Sequence, residues 1–233
     1  MPRHRRVSPT GYVQHVLNRG DHRETLFHKP ADFCAFLGVV AETASRIPMR
    51  ILAYCVMRNH FHLVLWPHDG ADLPRFMHLL MSIHIGRYLR HYPPISPGHL
   101  YQARYTNSLV ETGRSVVAVA RYVEANALTA GIVRRAEEYP WSSASPHASD
   151  PERPDISEWP VRRPTNWSEW LNSRTPAEER RRIQRSASRG APFGGPDWTR
   201  RVVAAFDLEH TLRRRGRPTT ASSLLAGNDS SSL

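Results

Sequence analysis

The segment RNHFHLVL, residues 58–65, has the pattern of a β-strand. In a strand, successive side chains point to opposite faces, so Phe61 and Leu63 share one face while His60 and His62 share the other. With a rise of about 3.3 Å per residue, the two histidine Cα atoms lie roughly 7 Å apart. Two imidazoles on one rigid face can bind a single metal ion. The alternative is a hydrogen-bonded or partly exposed pair that arose by chance among 13 histidines.

The segments around this strand predict the order β-α-β-β-α-β-α. Alternation indicates a strand at residues 12–18, and further strands are predicted at 49–56, 60–66 and 100–111. Helices are predicted at 30–47, 72–92 and 113–127. This order is a split β-α-β arrangement on an antiparallel sheet. We therefore expect an α+β, ferredoxin-like fold with the helices on one face of the sheet, followed by a basic helical C-terminal tail.

Composition predicts three parts along the chain. Residues 1–145 hold the β-α elements, and a proline-rich stretch at 146–174 is typical of a linker. Residues 175–233 form a basic tail that is partly helical with a disordered, serine-rich end. Within it, RRRGRP contains the core of an AT-hook, which would place Arg215 and Arg217 in a DNA minor groove. The alternative is a basic end that adds affinity without selectivity.

Charge predicts a polyanionic partner. The 233-residue chain carries 32 Lys and Arg residues against 21 Asp and Glu residues, a formal net charge of +11, and Lys29 is its only lysine. Such an excess is typical of nucleic-acid binding, and the arginine fork suits phosphate. Two cysteines exclude a disulfide scaffold and a cysteine-rich zinc site, and they fit a reducing cytosol. No apolar run is long enough to span a membrane.

A phenol and an amide share one face of the third predicted helix. Tyr122 and Asn126 are four residues apart in RYVEANALTAGIV, and Val119 and Val123 lie on the same stripe. The pattern therefore presents both polar groups from the side that packs on the sheet. The alternative is a tyrosine anchored in the core and an asparagine that helps to end the helix.

Six motifs in this order resemble the single-tyrosine transposases of the HUH class, in particular the REP-associated tyrosine transposases of bacteria. They are LNRGDHRETLF (17–27), MRNHFHLVL (57–65), GHLYQARY (98–105), RYVEANALTAGIV (121–133), YPWSS (139–143) and, in the tail, GAPFGGPDW (190–198) with RGRP (215–218). Arg58 and Ala127 stand where the family has proline.

The resemblance implies a role for each candidate residue. It makes His60 and His62 metal ligands, Tyr122 the nucleophile, and Asn126 the polar residue that completes the metal site. The implied cofactor is Mg²⁺ or Mn²⁺, and the implied partner is single-stranded or hairpin DNA with palindromic repeats. It further implies a bacterial, cytoplasmic and nucleoid-associated protein, acting as a monomer or homodimer without a membrane.

DNA contacts are expected from arginines and tyrosines of the first domain. Guanidinium groups would bind phosphates and phenol rings would stack on bases, and the candidates are Arg87, Arg90, Arg104, Arg114, Arg121, Tyr101 and Tyr105. For each, a solvated arginine or a packed aromatic ring is the alternative. The tail is expected to add affinity or orientation for DNA rather than chemistry.

Two other functions compete with a transposase. One is a DNA-binding regulator that keeps the fold but has lost the chemistry, against which the intact histidines, tyrosine and asparagine argue. The other is a metal-dependent nuclease that uses water, which would leave free 5′-phosphate ends and survive loss of Tyr122.

Overall fold

Four antiparallel strands form the central sheet of the computed structural model, which describes residues 6–92, 99–150 and 152–213. In chain order the strands are β1 (Val13–Arg19), β2 (Met49–Met57), β3 (His60–Pro67) and β4 (Thr106–Val110). Their order across the sheet is β2-β3-β1-β4, which places β1 between β3 and β4. The register sets Leu17 opposite His62 and Arg19 opposite His60. The predicted antiparallel α+β fold class is confirmed.

Helices cover both faces of the sheet, so the prediction of helices on one face was wrong. Phe61 and Leu63 pack under α1 (Pro30–Arg46) and α2 (Asp72–His91), whereas Val64 packs under α3 (Arg114–Glu124) on the other face. The reason lies in β2, whose side chains are buried on both faces. A strand that is apolar on both faces needs a covering layer on each side.

The predicted helix at 113–127 is interrupted at Ala125. Helix α3 ends at Glu124, and the short α4 (Asn126–Thr129) follows. The predicted cap at Gly131 is confirmed, because this glycine has a φ of 70° and the next amide donates to the carbonyl of Ala127 at 3.0 Å. The fourth strand is also shorter than predicted, since residues 100–105 contribute only a single bridge between Tyr101 and Gly20.

The stretch predicted as a linker packs against the sheet. Trp159 is buried, and its indole N–H donates to the carbonyl of Leu52 on β2 at 2.9 Å. Trp167 begins α5 (Trp167–Asn172) and meets Trp159 edge to face at 5.1 Å between ring centroids. Proline content indicated a spacer, but the two tryptophans bury large apolar surface here and fix the chain in place.

A buried carboxylate ties α3 to this stretch. Glu124 has no exposed side-chain surface and accepts hydrogen bonds from the Ser143 hydroxyl and the Trp167 indole, each at 2.7 Å. Arg163 completes an ion pair with it at 3.1 Å. Burial raises the pKa of Glu124, and the Arg163 charge and these hydrogen bonds oppose the rise. The network anchors the helix that carries Tyr122.

The C-terminal helices are part of the same packed structure. They are α6 (Ala177–Arg189), α7 (Pro196–Ala205) and α8 (Glu209–Leu212). Phe193, between α6 and α7, exchanges backbone hydrogen bonds of 2.8 and 2.9 Å with the β4 edge. Among the described residues, no helix is long and apolar enough to cross a membrane. Arg215, Arg217 and the rest of the RGRP motif lie outside the described residues.

The buried His84 makes the fold acid-sensitive. Its ring packs beside Phe36, its Nδ1 lies 2.7 Å from the Tyr101 hydroxyl, and burial lowers its pKa from 6.5 to about 4. Because the unfolded chain binds this proton more tightly, the stability is complete above about pH 6.5 and is lost as the pH falls toward 4. We expect this residue to lower the free energy of unfolding by about 2 kcal/mol between pH 7 and pH 5.

Urea denaturation at both pH values checks this expectation. His84→Gln removes the titrating group, so its free energy of unfolding should change less with pH than that of the unaltered protein. Identical pH dependence in the two proteins would contradict the assignment.

Candidate active site

A cavity of about 500 Å³ opens on the α3 face of the sheet, between β1, β3, α3, α4 and α6. It brings together the two histidines, the tyrosine and the asparagine that the sequence singled out. The polar and charged side chains that line it are Arg19, His60, His62, Tyr122, Asn126, Thr129, Gln184, Arg185 and Ser188. None of these carries a carboxylate, so the cavity suits an anionic ligand.

The two histidines of β3 face the cavity as neutral rings. Their ring centroids lie 5.1 Å apart and the ring planes are nearly perpendicular. Burial, followed by the nearby charge of Arg19, lowers the pKa of His60 to about 4. Burial, followed by the neighbouring His60, His15 and Arg19, holds the pKa of His62 well below 6.5. Neutral imidazoles keep the lone pair that a metal ion needs.

Hydrogen bonds fix which nitrogen of each histidine is available. His60 Nδ1 donates to the Oδ1 of Asn59 at 2.8 Å, which leaves its Nε2 free of a proton. His62 Nδ1 lies 3.0 Å from the Nε2 of His15 on β1. When His62 donates in this pair, its Nε2 is likewise free to bind an ion. Such partners are typical of metal-binding histidines, whose orientation they hold.

Tyr122 lies on the wall of the cavity opposite the two histidines. Its ring centroid lies 5.7 Å from that of His62, and the polar side chains of Gln184 and Asn126 lie near its hydroxyl. Burial raises the pKa of the phenol, and these two side chains and the charge of Arg19 partly counter the rise. Asn126 also contacts His60, so it lies between the phenol and the histidine pair.

These residues fit a divalent ion that shares its coordination with a substrate. The described residues contain no group of three or more His, Cys, Asp or Glu side chains able to hold a metal ion. The imidazoles of His60 and His62 and the side-chain carbonyl of Asn126 are therefore the groups available as metal ligands. Such a partial, neutral set leaves coordination positions open for water and for phosphate oxygens.

The sequence reasoning missed residues that line the cavity, among them Arg19 and Gln184, and His15, which contacts His62 beside it. His15 and Arg19 lie on β1, and only the register of β1 with β3 brings them beside His62 and His60. Gln184 lies on α6 in the tail, which was expected to contribute no chemistry, yet it lines the cavity with Tyr122 and acts on the pKa of the phenol. The alternation of β1 places His15 on a definite face, but the strand pairing is not readable from spacing.

Several predicted DNA contacts are engaged with protein groups instead. Tyr101 is 5% exposed and bonded to His84, and Tyr105 is 8% exposed beneath the guanidinium of Arg6. Arg121 is 3% exposed and donates to Ser173 while stacking on Trp170. Their apolar and planar surfaces complete the packing of the protein, which corrects the expectation that they are open to DNA.

The remaining arginine candidates are divided between the two faces of the molecule. Arg87 pairs with Glu42 at 3.0 Å, and Arg90 donates to the carbonyl of Gly86, both from α2 on the face away from the cavity. Arg104 and Arg114 are exposed. As phosphate contacts these four remain predictions.

Known proteins are similar to this chain in sequence and in fold. The family model described as "Transposase IS200 like" matches residues 10–126, half of the chain, from the start of β1 through Asn126. The chain belongs to the IS200-like transposase family. As a member of this family it is an enzyme that acts on DNA. No curated protein matches the sequence.

Solved structures share the fold at low sequence identity. A REP-associated tyrosine transposase bound to a REP hairpin is 14% identical, covers 69% of this chain and 96% of its own, and gives a TM-score of 0.52. A protein from Deinococcus radiodurans R1, described as a transposase, is 19% identical, with 53% and 96% covered and a TM-score of 0.38. The first supports the fold assignment, and the second is too weak for a structural comparison.

Proposed function

We propose that this transposase cleaves and rejoins single-stranded DNA beside short palindromic hairpins through a covalent 5′-phosphotyrosine. The observation that carries the proposal is the convergence of Tyr122 on His60 and His62 in one cavity without a carboxylate. One chain supplies every one of these groups. The solved relative bound to a REP hairpin supports hairpin DNA as the substrate class.

Tyr122 is the proposed nucleophile. Its hydroxyl oxygen forms a bond to phosphorus, the bond from phosphorus to the 3′ oxygen breaks, and the departing oxygen takes up a proton to become a 3′-hydroxyl. As the phenol gives its proton to water, the side-chain amides of Asn126 and Gln184, which lie close by, can donate N–H groups to the oxygen. The covalent bond keeps the energy of the DNA linkage, so a 3′-hydroxyl can attack it and restore the phosphodiester.

His60, His62 and the Oδ1 of Asn126 are the proposed metal ligands. A divalent ion held there supplies Lewis-acid stabilisation of the phosphate. Asn126 can serve both groups, because its carbonyl accepts while its amide donates to Tyr122. The family resemblance implies Mg²⁺ or Mn²⁺, and two nitrogen ligands favour Mn²⁺ over Mg²⁺, which prefers oxygen.

Arg185 on α6 is expected to bind a substrate phosphate. It lines the cavity and is exposed, without an ion-pair partner among the described residues. Arg185→Gln should therefore weaken binding of a hairpin oligonucleotide and reduce the slope of log K against log salt by about 1, because one fewer counterion is released. Fluorescence anisotropy over a range of salt concentrations measures both quantities.

Arg46→Gln is the matched control for this experiment. Arg46 lies on α1, across the sheet from the cavity, in an ion pair with Glu42 at 2.6 Å. The charge change is the same, so the control separates a local contact from the effect of net charge. Equal losses in both variants would show that Arg185 acts only through net charge.

A further inference from the structure

We propose that Arg19 is a further catalytic residue, which binds the scissile phosphate and stabilises the charge on its oxygens during attack by Tyr122. The inference rests on the proposed function, since it assigns Arg19 to the same site. Arg19 is the last residue of β1, lies opposite His60 in the sheet, and lines the cavity with Tyr122 and Asn126.

Hydrogen bonds fix the backbone of Arg19 at both its carbonyl and its amide. Its carbonyl accepts from the amide of Gln102 at 3.0 Å, and its own amide donates to the side-chain oxygen of Asn18 at 2.9 Å. The following residue, Gly20, donates to the carbonyl of Asn59 at 2.9 Å, and a Cβ at this position would lie 2.4 Å from the carbonyl oxygen of Glu24. The stem of the arginine therefore starts from a fixed point beside the histidine pair.

The guanidinium of Arg19 lacks a protein anion. Its Nε is buried without a hydrogen-bond partner, and no carboxylate lies within ion-pair distance among the described residues. The Nε atoms of Arg50 and Arg121 also lack a hydrogen-bond partner, but their guanidinium groups are engaged by other protein groups: Arg50 stacks on Trp66 at 3.3 Å, and Arg121 donates to Ser173. Buried polar groups are normally paired, so an unpaired donor in an open cavity indicates a ligand that is bound there in use.

Phosphate is the ligand that this environment favours. The cavity lining contains no acidic side chain, and the positive charge of Arg19 acts on both His60 and Tyr122, so it lies close to each. A guanidinium donates two parallel hydrogen bonds to a phosphate and stays charged throughout the reaction. No proton moves to or from Arg19 in this role.

Arg19 would act on the step in which the bond from phosphorus to the 3′ oxygen breaks. While Tyr122 bonds to phosphorus, the two non-bridging oxygens carry negative charge that the guanidinium can neutralise. Arg19 on β1 lies opposite His60 on β3, so its guanidinium would add to the Lewis-acid stabilisation that a divalent ion held by His60 and His62 would supply. Charge stabilisation of this kind typically contributes a factor of about 10²–10³ in rate.

The test compares two DNA substrates that differ only in the charge of the scissile phosphate. One hairpin oligonucleotide carries the ordinary phosphodiester, and the other carries an uncharged methylphosphonate at the same position. Arg19→Ala should cut the phosphodiester about 10²–10³-fold more slowly than the unaltered protein. On the methylphosphonate, the two proteins should differ by less than about threefold, because the charge that Arg19 neutralises is missing.

Arg58→Ala is the control, since Arg58 is exposed on the turn before β3 and does not line the cavity. It should cut both substrates like the unaltered protein. Arg19→Lys should recover part of the rate, because lysine keeps the charge but not the fork. An equal loss for Arg19→Ala on both substrates would overturn the proposal in favour of a structural role. No loss on either substrate would overturn it by showing that Arg19 takes no part in the reaction.

Binding in a non-cleaving background gives an independent readout. In Tyr122→Phe protein, Arg19 should favour the phosphodiester over the methylphosphonate by roughly tenfold or more, and Arg19→Ala should reduce this preference to about twofold or less. A preference that does not depend on Arg19 would contradict the proposal. Failure of the proposed function would give a different result from failure of the Arg19 proposal, because Tyr122→Phe protein would then still cut DNA.

Discussion

Replacement of both His60 and His62 with alanine is expected to lower DNA cleavage by at least roughly a thousandfold. A metal ion on the phosphate contributes several kcal/mol to the transition state, and about 4 kcal/mol corresponds to a thousandfold in rate. Neither alanine offers a ligand, and the Asn126 carbonyl alone cannot hold the ion. Cleavage of a hairpin oligonucleotide across a Mn²⁺ and Mg²⁺ titration measures the loss.

Metal binding provides a second readout that does not depend on activity. Isothermal titration with Mn²⁺ should show binding to the unaltered protein and none to the double variant. His68→Ala/His78→Ala is the matched control, because both of these histidines are exposed and neither lines the cavity. Circular dichroism should report an intact fold in both variants, since α3 and the sheet keep their apolar contacts.

One result would remove the metal site from the proposal. If the folded His60→Ala/His62→Ala protein cuts DNA at full rate in the presence of a chelator, these histidines do not serve the reaction through a metal. Their neutral rings would then be hydrogen-bonded residues of the cavity wall.

The sheet and the histidine pair were predictable because they follow from local patterns. Once residues 60–66 form a strand, its geometry decides which side chains share a face, whatever the strand pairs with. The same holds for Tyr122 and Asn126, since a spacing of four positions brings them together even though Ala125 interrupts the helix. These features need no knowledge of long-range contacts.

The missed residues depend on packing between distant segments. His15 reaches His62 only through the pairing of β1 with β3, and Gln184 reaches Tyr122 only because α6 folds back over the sheet. Residue type led to wrong predictions for Arg121 and Tyr101, which were expected to contact DNA but are buried. A guanidinium or a phenol can bind DNA, and it can also occupy a buried, hydrogen-bonded position. Burial of such side chains is set by tertiary structure.

Proline content predicted a linker at residues 146–174 for a related reason, since it reports the local chain and not the packing. Five prolines between residues 146 and 164 favour an extended chain, and the chain there is irregular apart from a short turn. Its path, however, is determined by Trp159 and Trp167, which bury their rings against the α3 face, and by the ion pair of Arg163 with Glu124. Residues 175–213 are thereby joined to the domain that holds the histidines.

Tyr122→Phe is expected to abolish cleavage while leaving the fold and DNA binding in place. The change removes one oxygen and keeps the ring, which packs near His15 and His62. Loss of the polar contacts of the hydroxyl with Gln184 and Asn126 should cost at most about 1 kcal/mol of stability, which thermal melting would detect. Binding should persist because phosphate contacts come mainly from arginine. Phenylalanine has no group that can attack phosphorus.

The covalent product decides between a transposase and a nuclease that uses water. With the unaltered protein, a denaturing gel should show DNA joined to protein through its 5′ end, and peptide mapping should place the phosphate on Tyr122. Tyr101 and Tyr105 are internal controls, because both are buried away from the cavity.

A Tyr122→Phe protein that still cuts and leaves free 5′-phosphates would mean that water is the nucleophile. Retained binding without cleavage by the unaltered protein would instead favour a regulator that keeps the fold, since the phenol would then lie beside two histidines without attacking DNA.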